Sequence, residues 1–287
     1  MKQIVIISGK GGTGKTVLTA SLASLAKDKV TVDCDVDAAD LHLLLNPSVK
    51  ERFEFRSGWT ARLDQEQCCE CGECINRCRF DAIRKDFVID PVSCEGCCFC
   101  SHICRYGAIA MEENISGEWF ISDTRYGPFV HARLGIAEDN SGKLVSVVRQ
   151  AAKDIAEKEQ QSYILIDGPP GIGCPVIAAI TGTDLAVVVT EPTVSGIHDM
   201  LRIIDTTSHF QVPTRVVINK YDLNPETSEK IMEICASKEI QVIGSIPFSA
   251  EVPRSLVKAL PFVEFCHNDV TEEIISIWRK VESIIQE

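Results

Sequence analysis

Aromatic side chains are scarce, at 6% of 287 residues, with three tryptophans and four methionines. A core must therefore be packed from aliphatic chains. No apolar run approaches the ~18 residues that span a bilayer, which excludes an ordinary transmembrane helix. No leader-like segment precedes the first apolar stretch, so the chain is expected to be cytoplasmic. Positive charge is also short. Lys and Arg number 29 against 41 Asp and Glu, a formal net charge of −12. That balance disfavours nonspecific binding to nucleic acid or anionic lipid. The six histidines show no metal-ligand spacing. Cysteine, by contrast, is abundant, with 14 residues. Disulfides do not account for them in a cytoplasmic chain, which leaves metal as the expected reason. Ten fall between Cys68 and Cys104, while Cys34, Cys174, Cys235 and Cys266 are scattered. The length and a 45% hydrophobic content suffice for one large domain or two modest ones.

The organising stretch is Ser8-Gly9-Lys10-Gly11-Gly12-Thr13-Gly14-Lys15-Thr16. Ile4 to Ile7 read as a strand leading into it, and Leu18 to Leu25 follow with helical spacing. Strand, glycine loop and helix are the context in which G-x-x-x-x-G-K-[ST] cradles phosphate. Glycines let backbone N–H groups converge on phosphate oxygens, and the helix N-terminus adds partial positive charge. Lys15 is predicted to reach the β- and γ-phosphates of a nucleotide, and the Thr16 hydroxyl to hold Mg²⁺.

Acidic residues close later apolar strands. Val30 to Val32 run into Asp33-Cys34-Asp35-Val36-Asp37, and Tyr163 to Ile166 into Asp167-Gly168-Pro169-Pro170-Gly171. Carboxylates at the carboxyl ends of parallel strands lie where open α/β sheets bind ligands. Asp35 is the candidate for orienting an attacking water and, with Thr16 and Asp167, for serving Mg²⁺. Asp33 serves the metal or caps its strand. Further buried strands are predicted at Leu185–Val189, Arg215–Ile218 and Val242–Ile246. Trp119–Ser122 and Pro128–Leu134 read as a possible edge hairpin, and Leu144–Ala156 as an amphipathic helix. Asn219 follows a strand where it can bond a purine edge. Asn219-Lys220-Tyr221-Asp222 also matches the guanine-reading N-K-x-D pattern, leaving ATP and GTP both open. The tail from Val270 to Ile285 is amphipathic but acidic, and is read as docking on its own domain.

Lys10 calls for its own explanation, because one lysine suffices for phosphate. Lys10-Gly11-Gly12-x-Gly14-Lys15-Thr16 resembles the deviant phosphate loop of the MinD/ParA/nitrogenase-iron-protein group. The resemblance implies that Lys10 crosses a dimer interface to the partner's nucleotide, making ATP binding and homodimer formation one event. Lys10, Lys15 and Asp35 are then the catalytic set, and the bound base is adenine. Gly9, Lys10, Gly11, Gly12, Thr13, Gly14, Lys15, Thr16 and Asn219 form the nucleotide site. Pro247 joins them, since Pro247-Phe248 resembles the loop covering adenine in MinD-like proteins. Cys174 follows Asp167 at about the offset of a cluster ligand in the nitrogenase iron protein, and is otherwise a buried cysteine.

Cys68, Cys71, Cys74 and Cys78 follow C-x₂-C-x₂-C-x₃-C, and Cys94, Cys97, Cys100 and Cys104 repeat it. Arg79-Phe80-Asp81-Ala82-Ile83 matches Arg105-Tyr106-Gly107-Ala108-Ile109, so the repeat extends beyond the thiols. This duplication resembles the bacterial-type two-cluster ferredoxin, in which the fourth cysteine of each run ligates the other cluster. The resemblance assigns Cys68, Cys71, Cys74 and Cys104 to one [4Fe–4S] cluster, and Cys78, Cys94, Cys97 and Cys100 to a second. It departs from the family at Arg79 and Arg105, where proline is usual. Zinc competes for the same thiolates, although its sites usually pair two short hooks from separate strands. Cys69 and Cys98 stand outside the pattern and read as packing residues.

The expected fold is α/β: a P-loop, doubly wound, mostly parallel sheet with helices on both faces. It spans 1–57 and 117–287 discontinuously, interrupted at 58–116 by a small α+β ferredoxin domain. The implied function is an ATP-binding and ATP-hydrolysing iron–sulfur protein. A nucleotide-driven dimer switch would be coupled to two [4Fe–4S] clusters for electron transfer to an unidentified redox partner. Turnover is expected to be slow without a partner, since no further catalytic arginine is evident. Two alternatives stand beside it: a metallocluster carrier or maturation factor, and a redox-sensing ParA/MinD-like positioning ATPase.

Overall fold

The computed structural model describes residues 1–135 and 140–286. The chain divides into two compact units. One comprises Met1–Arg52, Trp119–Arg133 and Ser141–Glu287, the other Phe53–Glu118 with Leu134–Asn140.

In chain order, β1 (Lys2–Ser8) leads through the glycine loop into α1 (Lys15–Leu25), then β2 (Lys29–Asp33) and α2 (Leu41–Leu45). The long strand β3 (Ser48–Leu63) precedes two five-residue helices, α3 (Glu73–Arg77) and α4 (Phe99–Ile103), and β4 (Ile109–Thr124) follows. After β5 (Gly127–Leu134) come α5 (Ser141–Lys158), β6 (Tyr163–Pro170), α6 (Cys174–Ile180), β7 (Leu185–Thr190) and α7 (Val194–His209). The chain continues through β8 (Thr214–Asn219), α8 (Pro225–Ser237) and β9 (Gln241–Ile246). It closes with α9 (Val252–Val257), α10 (Phe262–Phe265) and α11 (Asp269–Gln286).

The strand order is β3-β4-β5-β2-β6-β1-β7-β8-β9. β5 pairs parallel with β2, and the register continues in parallel through β6, β1, β7, β8 and β9. The central strands are apolar on both faces because helices cover both. Ile4 and Ile6 of β1 join a core with Leu18 and Leu22 of α1 and Ile274 and Ile277 of α11. On the other face α5 packs on β2, α6 on β6 and α7 on β7. β5 lies inside the sheet rather than at its edge, because its parallel pairing with β2 adds a neighbour that local alternation could not reveal.

The acidic amphipathic tail docks on its own unit. Glu273 Oε1 accepts from Ser245 N at 2.9 Å, and Lys280 Nζ donates to Ile243 O at 2.8 Å. Gly244 makes the approach possible, since a Cβ there would lie 2.3 Å from Ile277 Cγ1. Overlap of that kind forces Ile277 out of its rotamer or displaces α11.

The second unit has few large apolar residues. Ala61, Cys74, Ile83 and Ile109 are its buried cluster, with Ile75, Phe87, Ile89 and Met111 packed against it. So small a core supplies little stability by itself.

Candidate functional site

β1 ends at Ser8, whose carbonyl accepts from Gly171 N at 3.0 Å and whose hydroxyl donates to Lys10 O at 2.8 Å. The loop over Gly9–Gly14 is thereby tied to the end of β6. Gly14 lies at φ 90°, and a Cβ on it would meet Asn219 Nδ2 at 2.3 Å. Both facts demand glycine there. Asn219 Nδ2 donates to Thr13 O at 2.7 Å, so the end of β8 braces the loop.

At the head of α1, Lys15 Nζ lies 3.3 Å from Asp35 Oδ2 and 3.7 Å from Asp167 Oδ1. Burial alone would lower the Lys15 pKa, but the charges of Asp167, Asp35 and Asp33 outweigh it and raise it. Burial, opposed by Lys15, raises Asp35. Burial also pushes Asp33 well up, and the nearby Asp167 adds to the shift. Asp33 caps its strand: it accepts from Asp35 N at 3.0 Å and Leu41 N at 3.2 Å. Thr19, one helical turn beyond Lys15, donates to Asp167 Oδ1 at 2.9 Å. Sequence reading passed over Thr19, although its i+4 spacing from Lys15 puts it on the same helix face.

Gly11, Gly12, Thr13, Gly14, Lys15, Thr16, Asp35, Asn219 and Pro247 line one cavity of about 580 Å³. Gly9, Lys10 and Asp167 are not in its lining. Lys10 Nζ sits 3.3 Å from Glu191 Oε2 and 3.4 Å from Ser195 Oγ, both of its own chain. The other Glu191 oxygen takes Lys220 Nζ at 2.5 Å. Asp222 Oδ1 accepts from Phe248 N at 2.7 Å, tying the N-K-x-D segment to the loop after β9.

Among the described residues, no three His, Cys, Asp or Glu side chains form a group that could hold a metal ion. Magnesium rarely needs one, because it keeps several waters and takes one or two protein oxygens beside phosphate. Asp167 Oδ2 is buried without a hydrogen-bond partner. An orphaned carboxylate oxygen beside the phosphate loop suits such an ion.

In the second unit, Cys68, Cys71, Cys74 and Cys104 line a cavity of about 550 Å³. Cys78, Cys94, Cys97 and Cys100 line another of about 380 Å³, which Cys74 also borders. None of the eight is in a disulfide. Burial raises Cys74 and pushes Cys100 up to about 11. Cys69 borders the first cavity and Cys98 the second. Cys98 holds a positive φ of 61° at the start of α4, where Gly72 stands before α3. Cys174 is exposed at the first turn of α6, in neither cavity.

Residues 4–262 match the CobQ/CobB/MinD/ParA nucleotide binding domain family. The chain belongs to that family. It is 34% identical over 287 residues to an uncharacterized protein of Methanocaldococcus jannaschii, covering 99% of this chain and 97% of that one. It is 27% identical over 260 residues to the septum site-determining protein MinD of Bacillus subtilis, covering 87% and 77%. Among solved structures, MinD of Pyrococcus horikoshii complexed with Mg-ADP superposes with a TM-score of 0.62 at 17% identity, covering 99% and 97%. The MinC:MinD complex of Aquifex aeolicus gives 0.60 at 20%, covering 99% and 96%. This MinD/ParA-type chain thus carries a nucleotide-binding domain with the α/β fold of those neighbours.

Proposed function

We propose that this protein is a MinD/ParA-like ATPase whose nucleotide state switches its association with a second copy and with a partner protein. The observation that carries the reading is the Lys15 ammonium held between Asp35 and Asp167 at the head of a glycine loop. A triphosphate replaces those carboxylates as the partner of Lys15. The amides of Gly11 to Thr16 bind its oxygens, and Asp35 is released to orient the attacking water. Water oxygen bonds to the γ-phosphorus as the bridge to the β-phosphate breaks. Thr16, Asp35 and Asp167 are the residues that would hold Mg²⁺, which would neutralise phosphate charge there. Asn219 and Pro247 flank the base. Engagement of Asp222 Oδ1 by Phe248 N favours adenine over guanine, because a guanine reading both carboxylate oxygens would compete with that bond. No arginine among the described residues lines the cavity, which is consistent with slow turnover until a partner contributes. Lys10 reaches a second copy's nucleotide.

Likeness to septum site-determining proteins favours a positioning role over dedicated electron delivery. The cysteine unit adds a second reading. Each cavity is lined by one of the quartets the ferredoxin resemblance assigns, with the fourth thiol exchanged between the runs. On that basis Cys68, Cys71, Cys74 and Cys104 hold one [4Fe–4S] cluster, and Cys78, Cys94, Cys97 and Cys100 the other. Such clusters supply reversible one-electron storage. The switch would then sense redox state or gate electron transfer. Cluster delivery, the third output, requires labile metal.

Light scattering with MgATP titration tests the main reading. Wild-type protein binds ATP and dimerises, Lys15→Ala does neither, and Lys10→Ala binds without dimerising. Protein that ignores adenine nucleotides overturns it.

A further inference from the structure

The geometry points to Glu191 as the residue that holds Lys10 within its own subunit until a second copy's nucleotide competes for it. This rests on the reading that Lys10 serves that nucleotide. Glu191 follows β7 in a tight turn. Gly196 is so close that a Cβ would lie 2.2 Å from Glu191 O. Thr193 Oγ1 accepts from Gly196 N at 2.9 Å, and Thr190 Oγ1 donates to Gly196 O at 3.0 Å. The carboxylate is therefore carried on a braced backbone, with its side chain 13% exposed. Lys10 sits between Gly9 and Gly11 with its side chain more exposed than that of Glu191, and at 3.3 Å against the 2.5 Å of Lys220 it is the looser of the carboxylate's two partners.

Lys220 makes release possible. Its ammonium stays 2.5 Å from Glu191 Oε1, so the departure of Lys10 leaves no bare carboxylate in a half-buried turn. The cost of an unpaired buried charge is thereby avoided. A phosphate carries more negative charge than Glu191 shared with Lys220, and so competes effectively for the same ammonium. Glu191 is thus a positioning residue. It touches no phosphate and acts by lowering the readiness of Lys10 to leave.

The test pairs two readouts on nucleotide-free and ATP-loaded full-length protein. Amine acetylation under limiting reagent, read by mass spectrometry, reports how free Lys10 is, with exposed Lys230 as internal reference. Light scattering reports the ATP concentration at half-dimerisation. In Glu191→Gln, Lys10 is expected to label about two- to fivefold faster, and half-dimerisation to shift to lower ATP by a similar factor, the range of a partly exposed ion pair. Ser195→Ala, at an exposed position, removes the weaker Lys10 contact together with the Ser195–Thr193 hydroxyl pair at 3.2 Å and keeps Glu191. It should shift labelling in the same direction by less, which serves if the Gln variant folds poorly. Unchanged Lys10 labelling, or faster labelling without a shift in dimerisation, overturns the proposal while leaving the crossing role of Lys10 intact if Lys10→Ala fails to dimerise. If Lys10→Ala dimerises normally, the crossing role itself fails and the proposal with it.

Discussion

Asp222 accepts the backbone N–H of Phe248 at 2.7 Å and so anchors the loop that lines the cavity beside Gly11–Thr16. A guanine presents two N–H groups to such a carboxylate and so competes with that bond for Oδ1. ATP is therefore expected to bind at least about fivefold more tightly than GTP, since a polar group left without its partner costs roughly 1–3 kcal/mol. Asp222→Ala should weaken ATP a few-fold by loosening the loop, without improving GTP. Equilibrium titration with both nucleotides decides it. A GTP preference in the wild type that is lost in the variant would restore Asp222 to base reading.

Lys15 compensates three carboxylates at once. Lys15→Ala should abolish nucleotide binding and also destabilise the nucleotide-free protein by roughly 3–5 kcal/mol, the cost of breaking a buried ion pair. The sign with pH follows from the raised Asp33 and Asp35. Without the ammonium these groups fold more readily protonated, so the variant's deficit should shrink as pH falls from 7 toward 5. Urea unfolding at both pH values measures this. A deficit that grows on acidification contradicts the assignment.

His131 stacks on Phe129 with ring centroids 4.7 Å apart and lies 3.1 Å from Ser122 Oγ through Nε2. Burial, with His42 nearby, lowers its pKa to about 4. The unfolded chain takes up this proton near pH 6.5, whereas the folded chain resists it. Stability is thus complete above about pH 6.5 and falls between there and about 4, by on the order of 2–3 kcal/mol. His131→Phe should flatten that part of the profile in thermal melts at a series of pH values. An unchanged slope would place the acid sensitivity elsewhere.

Anaerobically prepared protein should carry about eight irons and eight sulfides per chain if both quartets are filled. Cys104→Ser and Cys78→Ser each remove one ligand from a different cavity, and each should halve the iron while leaving MgATP binding in place. Iron-free, zinc-loaded protein would assign the thiols to zinc. Because the unit's own core is small, loss of both clusters should also expose Phe53–Glu118 to proteolysis.

The glycine loop and its lysine were legible because they are local. Gly9 to Thr16 lie within one turn between a strand and a helix, and spacing over a few residues dictates where backbone amides and Lys15 can point. Alternating apolar strands and amphipathic helices announced the parallel sheet for the same reason, and the acidic strand ends placed Asp35 and Asp167 on its ligand-binding edge. Tertiary structure alone decided which distant groups meet. Strand order brings Asn219 to Thr13, Thr19 to Asp167, Glu191 to Lys10 and Phe248 to Asp222. These partners are joined only because β1 lies between β6 and β7, β8 follows β7 and β9 follows β8. Periodicity within a segment sets which face is buried, but it contains no information about which segment will lie beside it.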